Sequence, residues 1–141
     1  MIDFTFYWLP FVVIAVVNFF LSWLYYSPAG PFFKAWARGV GMDPGNRAMT
    51  DAQRKAMPRL MGGAVIATLL FSYGLQVVVH SVKAADFGTG ALAGIVVWLG
   101  FAVTHSLNTA FEGRKPVVLV INNVLYLVTY AVGGGVVAIW H

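Results

Sequence analysis

Residues 98–112 read WLGFAVTHSLNTAFE, so an ionisable His105 and the amide of Asn108 interrupt a run otherwise apolar enough to lie in a bilayer. His105, Asn108 and Glu112 follow at steps of three and four, which places them on one side of a helix. Imidazole, amide and carboxylate in that order can relay a proton or bind a cation. The same groups can instead hydrogen-bond a neighbouring helix and fix its register. An ionisable side chain in hydrocarbon is costly enough that a functional role is the default expectation, and its partner should be nameable.

Enzymatic chemistry lacks its parts. The sequence has no cysteine, no pair of intramembrane acids, no Ser-His-Asp set at a recognisable spacing and no phosphate-cradling glycine loop. Ser106 beside His105 is no dyad, because adjacent helical residues point about 100° apart. The chain reads as a non-enzyme without catalytic residue, cofactor or metal site. A membrane hydrolase is the weaker alternative, since site geometry rather than composition licenses enzymology.

Composition fixes what must position these groups. At 60% hydrophobic and 10% charged over 141 residues, the chain is too apolar for a soluble domain, in which about a quarter of residues would be charged. Four runs reach spanning length, at about residues 4–26, 58–82, 88–110 and 116–140. They leave no room for a soluble domain, so residues 1–141 form a single all-α membrane domain of four transmembrane helices. The net charge of +4 is not a nucleic-acid footprint, because Lys34, Arg38, Arg47, Arg54, Lys55 and Arg59 crowd the first connection and Arg114 and Lys115 the third, leaving Lys83 in the second. By the positive-inside rule, connections one and three are cytoplasmic and both termini lie outside. The start, Met-Ile-Asp, has no basic n-region, so the first run reads as a retained helix, with cleavage after Ala29 as the alternative.

In the first span Asn18 and Ser22 share a face that should point into the protein. Pro10 is a candidate bend. PFFKAWAR then reads as a short interfacial helix at about residues 31–39, with Phe32, Phe33 and Trp36 in the headgroup layer and Lys34 and Arg38 on lipid phosphates. Thr50 and Gln53 have capping-box spacing, so a helix should restart near Asp51 and run into the second span. There Thr68, Ser72, Gln76 and His80, at steps of four, draw one polar stripe, either a relay face or interhelical hydrogen bonding. GALAG in the third span gives Gly90 and Gly94 close-approach spacing. The fourth carries a ridge of Asn122, Tyr126 and Tyr130, beside Asn123 and before Gly133, Gly134 and Gly135.

Depth links the spans. Asn18 lies about 12 Å from the cytoplasmic end of its helix, His105 about 10 Å and Asn122 about 9 Å, at about 1.5 Å per residue. Ser22, Thr104, Ser106, Asn108 and Asn123 fall in or beside that layer. The second span offers the small Gly62, Gly63 and Ala64 there, with Met61. Gly74, Gly90, Gly94 and residues 133–135 favour close contact in the outer half. The expectation is a bundle closed outside with a polar recess open to the cytoplasm.

The pieces WLYYSPAGPFFKAW, WLGFAVTHSLNTAFEGRKP and INNVLYLVTYAVGGGVVAIW, in this order, resemble the small bacterial membrane-protein family known as domain of unknown function 1761. The matching positions are Tyr26-Ser27-Pro28, Trp98 to Phe101, and Asn122. The resemblance covers nearly the whole chain and implies a four-span fold, and it carries no activity. The resulting expectation is a multi-pass protein of the bacterial inner membrane, its partners the lipid bilayer and a second copy of itself, with an unidentified membrane partner possible and no nucleic acid. Its ion or solute pathway would run along Asn18, Ser22, Thr104, His105, Asn108, Glu112, Asn122, Asn123 and Tyr126. Gly62, Gly63, Gly90, Gly94, Gly133, Gly134 and Gly135 would pack the helices. The function is a channel or transporter-like module for a proton, cation or small polar solute, or else a structural or accessory protein whose polar layer only holds register.

Overall fold

The computed structural model describes residues 1–45 and 50–140, apart from the side chains of Thr109 and Ala110; Asn46, Arg47 and His141 lie outside the described residues. The elements are α1 (Trp8–Tyr26), α2 (Phe33–Gly39), α3 (Asp51–Ser81), α4 (Phe87–Val97), a π-helical turn (Trp98–Val103), α5 (Thr104–Ser106), α6 (Asn108–Phe111) and α7 (Pro116–Ile139). α4, the π turn and α5 run on as one span, Phe87–Ser106. This span, α1, α3 and α7 are long and apolar enough to cross a membrane, and no strand occurs among the described residues. α7 is the central helix, packed against α1, α2, α3 and α4, while α1 also packs on α3. The end bearing Trp8, Ser81, Phe87 and Ile139 is called the terminal end; the other, with Lys34, Arg38, Arg54, Lys55, Arg59, Arg114 and Lys115, is the basic end.

The α4–α7 contact is backbone on backbone. A Cβ at Gly94 would collide with the carbonyl of Tyr130, and Gly90 and Gly134 each face the other's carbonyl. Gly133 faces Leu75 and Ile14, and Gly135 faces the Phe87 ring. Around these glycines the terminal half closes over Ile14, Leu75, Val79, Val137 and Ala138. Gly62, Gly63 and Gly74 have nothing within 4 Å, so Gly62 and Gly63, expected to pack helices, do not pack within this chain. The reason is that α3 leaves the bundle. Thr68, Ser72, Leu75, Gln76 and Val79 are buried, whereas from Asp51 to Ala67 every residue except the half-buried Ala64 is exposed.

Other boundaries shift for identifiable reasons. The first helix starts at Trp8 rather than near Phe4, because residues 3–7 are non-helical and fastened to α3. Asp3 N–H donates to Ser81 Oγ (2.9 Å) and Tyr7 N–H to Gln76 Oε1 (3.0 Å). Pro10 thus falls in the first turn, where a missing N–H costs nothing. Phe33, expected in the headgroup layer, is buried with Ala37 and Gly39; Gly39 faces Val117 and Val118, so α2 is docked on α7. Trp36 is half-buried against Tyr26, ring centroids 5.1 Å apart, while Phe32, Lys34 and Arg38 stay exposed. The third span breaks at Leu107, just after Thr104 returns its hydroxyl to the carbonyls of Gly100 and Phe101 in competition with the ladder.

Two capping boxes start helices: Thr50 with Gln53 for α3 and Asp86 with Thr89 for α4. The backbone N–H of Thr89, then its hydroxyl, holds the Asp86 carboxyl below its ordinary value of 3.8. A carboxyl depressed by folding contributes stability above its unfolded pKa and loses it as pH falls through the folded value. The thermal midpoint in detergent should therefore hold steady down to about pH 4 and decline below it. Asp86→Asn, which keeps the capping acceptor without the charge, should flatten part of that decline.

Candidate functional site

Three polar joints tie the helices at or below mid-depth. Asn18 Nδ2 donates to Thr68 Oγ1 at 2.8 Å, joining α1 to α3, and Ser72 Oγ donates to the Thr68 carbonyl at 2.9 Å. Tyr26 O–H donates to Asn122 Oδ1 at 2.7 Å, joining the end of α1 to α7. Asn123 Nδ2 donates to Ser106 Oγ (2.8 Å) and to the Leu119 carbonyl (2.9 Å), while the Asn123 carbonyl accepts from Trp98 Nε1 at 3.0 Å. Asn18 and Asn122 thus bond to different partners, Thr68 and Tyr26, and not to each other.

The third joint depends on the π turn. Eight α-helical steps from Trp98 to Ser106 would leave their side chains about 80° apart. One extra residue in the turn removes about 100°, leaving about 20°, so both reach Asn123. The same register places His105. Ser106 and Gly94 both meet α7, and Ala93, one residue before Gly94, packs against the cluster containing Leu75 and Val79 of α3. His105, one residue before Ser106, falls on the same side of the span as Ala93, and it is exposed.

A wedge results between the basic-end half of α3 and the rest of the bundle. On α7, Tyr130 packs on Phe71 of α3 with centroids 4.6 Å apart. One turn toward the basic end, on the same ridge, Tyr126 is 39% exposed because nothing from α3 covers it. Asn122, Asn18 and Ser22 are half-buried. The facing stripe of α3, in line with Thr68, is Met57, Met61 and Ala64. Thr104 and Asn108 are exposed, and Glu112 pairs at 3.3 Å with Arg114, both exposed and worth at most about 1 kcal/mol. Tyr26, Trp98 and Thr68 are the partners that pathway reasoning missed. Tyr26 was legible as an aromatic at the right depth, whereas no spacing rule announces the π turn that brings in Trp98.

Above the wedge the α3 stripe is buried, Thr68 to 5% and Ser72 and Gln76 to 0% exposure. It ends at His80, whose ring meets Tyr7 edge-on at 5.1 Å. A recess of ≈ 200 Å³ there is lined by Asp3, Tyr7, His80, Lys83, Ala84 and Ala85. Hydrogen bonds from the hydroxyl and backbone of Thr5 hold the Asp3 carboxyl below its ordinary value, with a smaller contribution from His80.

A family model described as Protein of unknown function (DUF1761) matches residues 9–139. No curated protein and no solved structure matches the chain.

Proposed function

We propose, for a chain that belongs to the DUF1761 family of proteins of unknown function, that it serves as a small channel or transporter-like module admitting a proton, cation or small polar solute into the wedge at its basic end. One observation supports this above the others: α3 is packed from Thr68 toward the terminal end and free of the bundle from Ala67 toward the basic end. The exposed Tyr126 and His105 and the half-buried Asn18, Asn122 and Ser22 would then meet water within the membrane depth, where polar side chains characteristically line cavities. The basic residues favour a cytoplasmic mouth, an inner-membrane location and termini outside. Gly62 and Gly63, bare on the far side of α3, suit self-association with a second copy.

The test is flux of protons, potassium and glycerol into liposomes. Wild type should carry at least one of them above empty vesicles, and His105→Ala and Asn18→Ala should change the rate. Equal flux from all three proteins, or none from any, would favour the accessory function, in which the Asn18, Asn122 and Asn123 joints only hold helices in register. For that alternative, His105→Ala should lower thermal stability in detergent and leave flux and binding untouched.

A further inference from the structure

At the terminal end, away from the wedge, α3 stops in a way that its sequence makes costly. Lys83 N–H donates to the His80 carbonyl at 2.9 Å and Ala84 N–H to the Val79 carbonyl at 3.2 Å, the paired bonds of a Schellman cap. The residue that closes such a cap takes a left-handed backbone, which glycine adopts without strain, yet here it is Lys83 at φ 55°. Its charge is as out of place as its backbone. Lys83 is the one lysine or arginine between α3 and α4, while the other described lysines and arginines lie toward the basic end. Packing does not account for it either, because the residue is exposed. A side chain held in a sparsely populated backbone conformation without a packing gain points to a function.

Lys83 lines the recess of ≈ 200 Å³ together with Asp3, Tyr7 and His80. Asp3 is brought there by its N–H on Ser81 Oγ, and Tyr7 by its N–H on Gln76 Oε1. The Tyr7 ring stands edge-on to His80, whose two nitrogens are shielded from solvent, so these rings form an aromatic wall. The charge of the recess comes from Asp3 and Lys83. The Asp3 carboxyl accepts from the Thr5 N–H at 2.9 Å and stays ionised. It makes no ion pair with Lys83, since Glu112 with Arg114 is the only salt bridge among the described residues.

A carboxylate and an ammonium that share one recess without pairing suit a ligand carrying both opposite charges. A simple anion would be repelled by Asp3 and a simple cation by Lys83. The volume, ≈ 200 Å³, equals about six waters at about 30 Å³ each, which suits a small molecule and excludes a peptide or nucleotide.

We propose that the terminal recess binds a small zwitterionic amino acid such as alanine or serine. Its ammonium sits on the Asp3 carboxylate, its carboxylate on the Lys83 ammonium, and its side chain against the Tyr7 and His80 rings. The flexible four-carbon stem of Lys83 lets the ammonium close on the ligand from the rim. The site lies apart from the wedge and needs no flux through it.

The experiment is calorimetric titration of the whole chain in detergent with L-alanine, L-serine, propionate and ethylamine. Alanine or serine should bind saturably, and propionate and ethylamine, each lacking one charge, about tenfold or more weaker. Asp3→Asn, which keeps an oxygen for the Thr5 N–H, and Lys83→Gly should each weaken amino-acid binding by about tenfold or more. Lys83→Gly also relieves the left-handed backbone and should raise the thermal midpoint by a few degrees, so its lost binding is not a loss of fold. No saturable binding of either amino acid overturns the site, as does binding indifferent to both substitutions. Propionate or ethylamine binding as tightly as alanine overturns it too, since one charge would then suffice. Calorimetry is independent of the liposome assay, so a silent flux experiment defeats the wedge reading alone and absent binding defeats the recess alone.

Discussion

Gly94→Val should destabilise the protein by about 3 kcal/mol or more, the largest effect of any single substitution considered for this chain. The added Cβ meets the backbone carbonyl of Tyr130, and neither helix can yield locally as a flexible side chain could. α4 and α7 would have to separate, and Gly90 and Gly134, each facing the other's carbonyl one turn away, would lose their contact as well. In a bilayer such packing is itself the force holding helices together, since lipid is as apolar as their side chains. Thermal unfolding in detergent followed by circular dichroism measures the loss. Gly63→Ala is the control. It has open space and should be neutral or stabilising by up to about 1 kcal/mol through helix propensity. A small effect at Gly94 comparable to that at Gly63 would mean that α4 and α7 do not meet as described.

Asn123→Ala should cost about 1–2 kcal/mol, in the upper part of what single polar contacts contribute within membranes. The side chain is 8% exposed and donates twice from one nitrogen, to Ser106 Oγ and to the Leu119 carbonyl, so truncation removes both bonds, including the one that ties α7 to the third span. The Trp98 indole bond goes to the Asn123 backbone and survives. Asn123→Ala should therefore lower stability while leaving Trp98 in place, whereas Trp98→Phe should release the π turn from α7. The measurement is again the unfolding midpoint, with Ser106→Ala in a double-mutant cycle. Full additivity of Asn123→Ala and Ser106→Ala would show that the two residues do not interact.

The four spans were legible because a run of about 20 apolar residues has few other readings, and the Thr50–Gln53 box was legible because capping is local chemistry. What escaped was decided at a distance. Residues 4–7 are apolar enough to continue a helix, yet Asp3 and Tyr7 are tied to Ser81 and Gln76, more than sixty residues away, and the segment is non-helical. Gly62–Gly63 and Gly90 with Gly94 look alike as small-residue signals, and nothing local reveals that one pair faces a neighbouring helix and the other does not. Depth counting placed Asn18, His105 and Asn122 in one region, but partner choice depended on lateral positions that the chain order does not supply. Asn18 found Thr68, Asn122 found Tyr26, and His105 is exposed. The stripe from Thr68 to His80 was visible by its spacing, and burial along most of it became visible only with the fold.

The division of the bundle into a closed terminal half and a wet basic half is tested most directly by cysteine accessibility, which the absence of native cysteines makes clean. A membrane-impermeant, charged thiol reagent is applied from the basic side to Tyr126→Cys, Ala64→Cys, Ser72→Cys and Leu70→Cys. Reaction is predicted at 126 and 64, which line the wedge, and not at the buried 72. Leu70 decides between water and lipid, since it is 67% exposed against 39% for Tyr126 and faces away from the wedge. An unreactive Leu70→Cys beside a reactive Tyr126→Cys agrees with a water-filled wedge. Equal reactivity at 70 and 126, or none at 126, contradicts it.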